Sequence, residues 1–222
     1  MSPTDRRLGV ELRLKELMKK IGGAEELRAK AATLAGKHVR EKGDNRITKQ
    51  HVSSWYTDDN ISQLMDAILR NRPDVQYMNG INIDLGRGSV FLQNLLTREQ
   101  NIAVHEGKTG ELINQVFVPI NLGGMNNQSV MGEHWTGLII VRPRNNRPAI
   151  VYYFDPFGNA MPAMLRQAIR LVYPGVTIRY NSLVYQQDSI NCGAWVVEFF
   201  RQFVLYGAMF PQANTDIGKV RS

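Results

Sequence analysis

The chain has 222 residues, a net charge of +7 and 43% hydrophobic residues. This length favours one domain with an appendage, and the hydrophobic content is enough for a sizeable core. No run approaches the ~20 apolar residues that a membrane helix needs, and the charged start of the chain does not resemble a signal peptide. The single cysteine excludes an intramolecular disulfide and a zinc site built from several cysteines, and we expect no metal or other cofactor.

The basic character is concentrated at the N-terminus. Residues 1–54 hold 13 Lys and Arg against 7 Asp and Glu, whereas the rest of the chain holds 14 against 13. Apolar spacing predicts two helices, at residues 8–20 and 24–40, separated by a Gly-Gly pair. We therefore predict a basic helical N-terminal extension at residues 1–50. It could bind substrate, present a solvated surface or, as a helix-turn-helix look-alike, read DNA.

A second region, residues 51–222, has the composition of a globular domain. Thr57 followed by two aspartates predicts an N-cap, and the apolar residues after it have helical spacing up to residue 69. The next stretches predict, in order, loop with short extended pieces at 75–90, a short helix at 91–98, and strands at 102–106 and 115–120.

Two strong β segments, 134–141 and 149–154, follow, and the second ends in the turn sequence Asp-Pro-Phe-Gly. The remaining stretches predict an amphipathic helix at 162–172, strands at 177–180 and 182–185, and a buried helix beginning near Cys192. Helices, then a run of strands, then a closing helix indicate an α+β fold with a central, mostly antiparallel sheet.

The lone cysteine, Cys192, lies at the predicted first turn of the last helix, where the helix dipole favours a thiolate. A thiol nucleophile needs a base, a group that orients the base, and donors for an oxyanion. His134 opens one strong strand and Asp155 ends the other, so a hairpin would bring them to one edge of the sheet. Gln186 lies shortly before the cysteine and could donate its side-chain amide to an oxyanion. Each residue alone also has a purely structural reading, so the prediction depends on their joint order.

These residues resemble the motifs of the clan of ubiquitin-like-protein proteases, which includes SUMO and NEDD8 proteases, adenovirus protease and bacterial effector deubiquitinases. The matching segments are His134-Trp135, Phe154-Asp155-Pro156, Gln186 with Cys192-Gly193, the Trp-Tyr-Thr-Asp-Asp-Asn-Ile stretch 55–61, and the Val-Pro-Ile-Asn stretch 118–121. The resemblance covers about residues 52–205. It implies a papain-like cysteine protease fold with Cys192 as nucleophile, His134 as general base and acid, Asp155 as orienter and Gln186 as oxyanion donor.

The resemblance also assigns Trp55 and Trp135 to the tryptophans that sandwich the Gly-Gly end of a ubiquitin-like substrate. Two indole faces close together leave no room for a β-carbon, so only glycine would pass. The sequence before the cysteine looks closer to bacterial effector deubiquitinases than to eukaryotic SUMO proteases, and this leans toward ubiquitin as the substrate.

We therefore predict a monomeric cysteine isopeptidase, a deubiquitinase or a ubiquitin-like-protein peptidase. As a bacterial effector it would be secreted into the host cell and act in the host cytoplasm. Nucleic acid is not the partner that the sequence favours. An acetyltransferase that uses the same Cys-His pair stays an alternative. Asp155 and the paired tryptophans disfavour it, because such acetyltransferases resemble a pattern with Glu as the third residue and no Gly-Gly clamp.

Overall fold

The computed structural model describes the backbone of residues 56–78, 81–83, 88–123, 132–187, 190–207, 209–212, 215 and 217. The predicted N-terminal extension at 1–50 and Trp55 lie outside the described residues. So do most of the loop at 122–133 and part of the stretch at 75–90.

The described part of the chain forms one sheet with helices on both faces. In chain order its elements are α1 (Asp58–Leu69), β1 (Val75–Tyr77), β2 (Ile81–Ile83), α2 (Gly88–Thr109), β3 (Gln115–Gly123), β4 (Gly132–Val141), β5 (Ile150–Phe154), α3 (Ala163–Val172), β6 (Thr177–Tyr180) and α4 (Cys192–Tyr206). None of the described helices is long and apolar enough to cross a membrane.

The sheet is mixed, and its strand order is β1-β3-β4-β5-β6, with β2 also paired to β3. The central pairs β3–β4 and β4–β5 are antiparallel, as predicted. The outer pairings of β1 and β2 with β3, and of β6 with β5, are parallel. Parallel neighbours need a crossover connection, and α2 and α3 supply it before β3 and β6. The predicted α+β class is confirmed.

Alternating side chains on the central strands divide the core into two layers. Val116, Val118 and Ile120 of β3 face the cluster that contains α2 and α3. Phe117 of β3 faces the other cluster, which contains α1 and α4. Successive residues of a strand point to opposite faces, so one strand serves both layers.

The N-terminal end of α1 forms as the sequence predicts. Thr57 is the N-cap, and its Oγ1 accepts a hydrogen bond of 3.3 Å from the backbone N–H of Asn60. In return Oδ1 of Asn60 accepts a hydrogen bond of 3.0 Å from the backbone N–H of Thr57. This reciprocal capping box satisfies two donors that a helix end would otherwise leave unpaired.

The predicted strand at 102–106 is wrong, because this segment lies inside α2 together with the predicted short helix at 91–98. The β-branched residues Ile102 and Val104 favoured a strand by propensity. Ile102 is buried and Val104 is exposed. Alternate residues of a strand would share one face, so the observed burial fits a helix and the packing of α2 overrides propensity.

The predicted strand at 182–185 is also wrong, since this segment is an irregular loop. The turn that follows β5, instead of a neighbouring strand, holds the backbone of this segment. The N–H groups of Tyr185 and Gln186 both donate to the carbonyl oxygen of Pro156, at 2.8 and 3.0 Å. Those two bonds replace the ladder that an extended segment would have formed.

Helix α4 lies close against the middle of β4. A β-carbon at Gly137 of β4 would be 2.9 Å from Cδ1 of Phe199 and 3.2 Å from Cγ1 of Val196, both on α4. A larger residue at this position would therefore require the Phe199 ring to shift. The close approach brings the first residue of α4 toward the end of β4 that carries His134.

Candidate active site

Cys192 is the first residue of α4. Its side chain is buried, with 1% of the residue exposed, and its thiol is free. The backbone N–H of Trp195 donates to the carbonyl of Asn191 at 3.0 Å, which closes the first turn of the helix. The thiol therefore lies at the positive end of the helix dipole, where a negative sulfur is favoured.

His134 lies near the start of β4, opposite Leu122 of β3. Its Nε2 atom is 2.9 Å from Oδ1 of Asp155. The imidazole also makes a side-chain hydrogen bond with Cys192. The imidazole therefore contacts both a carboxylate and a thiol. The structure thus brings three predicted site residues together in one line: carboxylate, imidazole and thiol.

The pKa of His134 is raised to about 9. Burial by itself would lower this pKa, but the hydrogen bonds with Asp155 and Cys192 and the charges of both groups outweigh it. The imidazole therefore stays protonated at neutral pH. A cationic ring beside the thiol stabilises the thiolate, which is the nucleophilic form of cysteine.

Asp155 follows β5 directly, and only 2% of its side chain is exposed. The antiparallel pairing of β4 and β5 brings it to the same end of the sheet as His134, as the sequence predicts. The predicted turn is present: the N–H of Gly158 donates to the carbonyl of Asp155 at 2.8 Å, and Gly158 has a φ of 72°. A buried carboxylate held in this way can orient and charge-stabilise the imidazole.

Gln186 is buried beside this turn. Its backbone N–H donates to the carbonyl of Pro156, the residue after Asp155. The loop that leads to Cys192 is therefore tied to the turn that carries the carboxylate. The oxyanion role of Gln186 stays a prediction.

Trp135 follows His134 in β4 and is buried. Its indole Nε1–H donates to the carbonyl of Tyr56 at 2.9 Å. A β-carbon at Gly193 would lie 2.7 Å from Cβ of Tyr56 and 3.3 Å from Cδ1 of Trp135. The glycine after Cys192 thus lets Tyr56 and Trp135 pack against the start of α4. The glycine-selecting slot stays a prediction, because Trp55 lies outside the described residues.

Solved structures share this arrangement of strands and helices. The Xanthomonas campestris effector XopD, in a structure bound to ubiquitin, has a TM-score of 0.50 and 19% identity over 83% of this chain and 96% of that chain. The Rickettsia bellii effector RickCE has a TM-score of 0.51 and 14% identity over 75% of this chain and 90% of that chain. The ASFV pS273R protease has a TM-score of 0.50 and 14% identity over 80% of this chain and 67% of that chain.

The chain has the fold of the ubiquitin-like-protein protease clan. The resemblance predicted from the sequence motifs is therefore confirmed at the level of the fold. Neither a protein-family model nor a curated protein matches the sequence.

In this fold Asn181, which sequence reasoning missed, clamps the backbone of Asp155. The Asn181 side chain is buried; its Oδ1 accepts from the N–H of Asp155 at 2.9 Å, and its Nδ2 donates to the carbonyl of Asp155 at 2.7 Å. Nδ2 also donates to the carbonyl of Leu183 at 3.0 Å. One amide therefore fixes both the carboxylate turn and the loop that leads to Gln186. An Asn after a strand end reads as an ordinary turn residue, so the sequence held no distinctive signal.

Replacing Asn181 with alanine is expected to lower the free energy of unfolding by about 1–3 kcal/mol, because the buried N–H of Asp155 loses its acceptor. Urea unfolding of the purified variant measures this loss. Ser182→Ala, one residue along and exposed, is the matched control. Equal stability of the two variants would show that the clamp does not stabilise the turn.

The described side chains at the site are a thiol, an imidazole, a carboxylate and amides. Within the described residues, no group of three or more His, Cys, Asp and Glu side chains is arranged to hold a metal ion. These groups match the parts of a covalent acyl-transfer site.

Proposed function

We propose that the protein is a cysteine isopeptidase that cleaves after the C-terminal glycine of ubiquitin or a ubiquitin-like modifier. The observation that carries this proposal is the line of Asp155, His134 and Cys192, with 2.9 Å between carboxylate and imidazole and a hydrogen bond between imidazole and thiol. Such a line, at a helix N-terminus, is the arrangement that activates a thiol for attack on a carbonyl.

The reaction would proceed in two steps. The Cys192 thiolate attacks the glycyl carbonyl, and the carbonyl oxygen takes the negative charge. The backbone N–H of Cys192 and the amide of Gln186 donate to that oxygen. The imidazolium of His134 then gives its proton to the leaving amine, and a thioester of Cys192 with the glycyl carboxyl group remains.

Water completes the cycle. His134, now neutral, takes a proton from the water, whose oxygen attacks the thioester carbonyl. The tetrahedral intermediate collapses, the bond to sulfur breaks, and the modifier leaves with a free C-terminal carboxylate. Asp155 keeps the imidazole oriented and stabilises its cationic form throughout.

Specificity for a Gly-Gly tail would come from a narrow slot that Trp135 forms with Trp55. The hydrogen bond from Trp135 to Tyr56 supports this assignment, since it holds the residue next to Trp55 against the indole. XopD, which shares this fold, has been solved bound to ubiquitin, and this supports ubiquitin as the first modifier to test.

We further propose that the protein acts as an effector inside a host cell. Two of the three fold relatives named above, XopD and RickCE, are effector proteins. A protease of eukaryotic modifiers would meet its substrate there.

Hydrolysis of C-terminal fluorogenic amides of ubiquitin, SUMO and NEDD8 tests the proposed activity. At least one is expected to be cleaved, and the same three reagents lacking the terminal Gly-Gly are expected to remain intact. If the protein instead acetylates itself from acetyl-CoA and leaves all three amides uncleaved, the result would contradict the hydrolase proposal and support an acetyltransferase.

A further inference from the structure

Phe157 contacts both partners of the His134–Asp155 pair. Its ring stacks on the imidazole of His134, with 4.8 Å between ring centroids and 29° between ring planes. Its backbone N–H donates to Oδ1 of Asp155 at 2.8 Å. This is the same oxygen that lies 2.9 Å from Nε2 of His134. One residue therefore touches the imidazole with its side chain and the carboxylate with its main chain.

The turn that carries Phe157 is fixed from two directions. The N–H of Gly158 donates to the carbonyl of Asp155, and the N–H groups of Tyr185 and Gln186 donate to Pro156. A β-carbon at Gly158 would lie 3.3 Å from the carbonyl oxygen of Leu183, so the neighbouring loop packs closely on the turn. The Phe157 ring is thus presented to His134 by a backbone with little freedom.

The ring itself is not a core side chain. Phe157 is 38% exposed, whereas only 15% of the His134 side chain is exposed. An aromatic residue that stays this exposed is placed over the imidazole at the surface of the site. At that position the Phe157 ring shields one face of the imidazole from water. It is not part of the hydrophobic core.

This placement has two physical consequences for the imidazole. An aromatic face favours a cation stacked on it, so the ring stabilises imidazolium over imidazole. Excluding water from the hydrogen bond to Asp155 strengthens that charge-assisted bond. The stacked ring also opposes rotation of the imidazole, which would break its contacts with Asp155 and Cys192.

We propose that Phe157 is a positioning residue for His134, whose ring holds the imidazole in the line between Asp155 and Cys192 and favours its cationic form. The inference deepens the proposed function, because it rests on the Cys192–His134 pair, but it does not depend on which modifier is cleaved. The titratable groups that act on His134 in the described part of the chain are Asp155, in the turn after β5, and Cys192, on α4.

The test uses the pH dependence of alkylation of Cys192 by iodoacetamide, which needs no substrate. Cys192 is the only cysteine, so the total rate reports this thiol alone. Phe157→Leu and Phe157→Met keep the backbone N–H to Asp155 and remove the aromatic face. Phe157→Tyr keeps that face and serves as the conservative rescue. Tyr206→Leu, an exposed aromatic in the last turn of α4, is the matched control.

In the two aliphatic variants the pKa of His134, read by NMR titration of its ring, is expected to fall by about one unit. The step in the alkylation profile that follows deprotonation of His134 is expected to move to lower pH by the same amount. Phe157→Tyr and Tyr206→Leu are expected to match the unmodified protein in both readouts.

An alkylation profile and a His134 pKa that are unchanged in both aliphatic variants would overturn the proposal. So would a Phe157→Tyr variant as impaired as Phe157→Leu, because the aromatic face would then be irrelevant. Failure of the proposed function has a different signature: the unmodified protein would show the step in its alkylation profile that follows deprotonation of His134, and it would hydrolyse no ubiquitin-like amide.

Discussion

Replacing Cys192 with alanine is expected to lower turnover of a ubiquitin-like substrate by about 10³–10⁶-fold while leaving its binding intact. Without the sulfur no acyl-enzyme forms, and only the positioning and oxyanion donors remain to assist direct attack by water. The measurement is kcat/KM with a C-terminal fluorogenic amide, alongside calorimetric binding of the uncleaved modifier.

The structure explains why this variant should remain folded. Cys192 is buried at the start of α4, and alanine removes one atom without adding a polar group or a clash. Unchanged thermal unfolding is the control. A variant that is folded, binds the modifier and still turns over within ten-fold of the unmodified protein would remove Cys192 from the chemistry.

Replacing Asp155 with asparagine is expected to lower kcat by about 10²–10⁴-fold at neutral pH. Asparagine keeps the shape and an oxygen acceptor for the N–H of Phe157, but it removes the negative charge beside the imidazole. The pKa of His134, about 9 in the unmodified protein, should fall toward its usual value near 6.5. The pH profile of kcat/KM should accordingly lose activity first on the alkaline side, because the imidazolium is then lost at a lower pH.

The same charge couples stability to pH. The pKa of folded His134 is raised above the unfolded value, so its stabilising contribution is fully present below about pH 6.5 and is lost as pH rises through about 9. Urea unfolding between pH 6 and 10 should show this decline in the unmodified protein and a smaller one in Asp155→Asn. Asp59→Asn, an exposed carboxylate on α1, is the matched control and should keep the full decline. Identical pH dependence of Asp155→Asn and the unmodified protein would contradict the assigned ion pair.

The arrangement of His134 and Asp155 could be predicted from sequence because it depends on local signals. Two strongly β-forming segments joined by a Pro- and Asn-containing turn favour a hairpin, and hairpin geometry brings the start of one strand to the end of the next. The helix that begins at Cys192 could also be predicted, since a long apolar run follows the cysteine.

The misses arise where tertiary contacts decide the outcome. Ile102 has strand propensity, but it is buried as part of helix α2, in the core cluster on one face of the sheet. Asn181 bonds a turn that is distant from it in sequence, and Phe157 lies in a turn whose composition is ordinary. No periodicity in the sequence marks either contact. The parallel pairing of the outer strands likewise follows from the path of the crossovers and not from any one strand's sequence.

The most direct test of the account is a panel of C-terminal electrophile probes built on ubiquitin, SUMO and NEDD8, with the adduct site mapped by mass spectrometry. A covalent adduct on Cys192 is expected with at least one probe. Labelling should be lost in Cys192→Ala and slowed in Asp155→Asn. No adduct with any probe, in protein whose Cys192 still reacts with iodoacetamide, would contradict the proposal that this thiol attacks the tail of a ubiquitin-like protein.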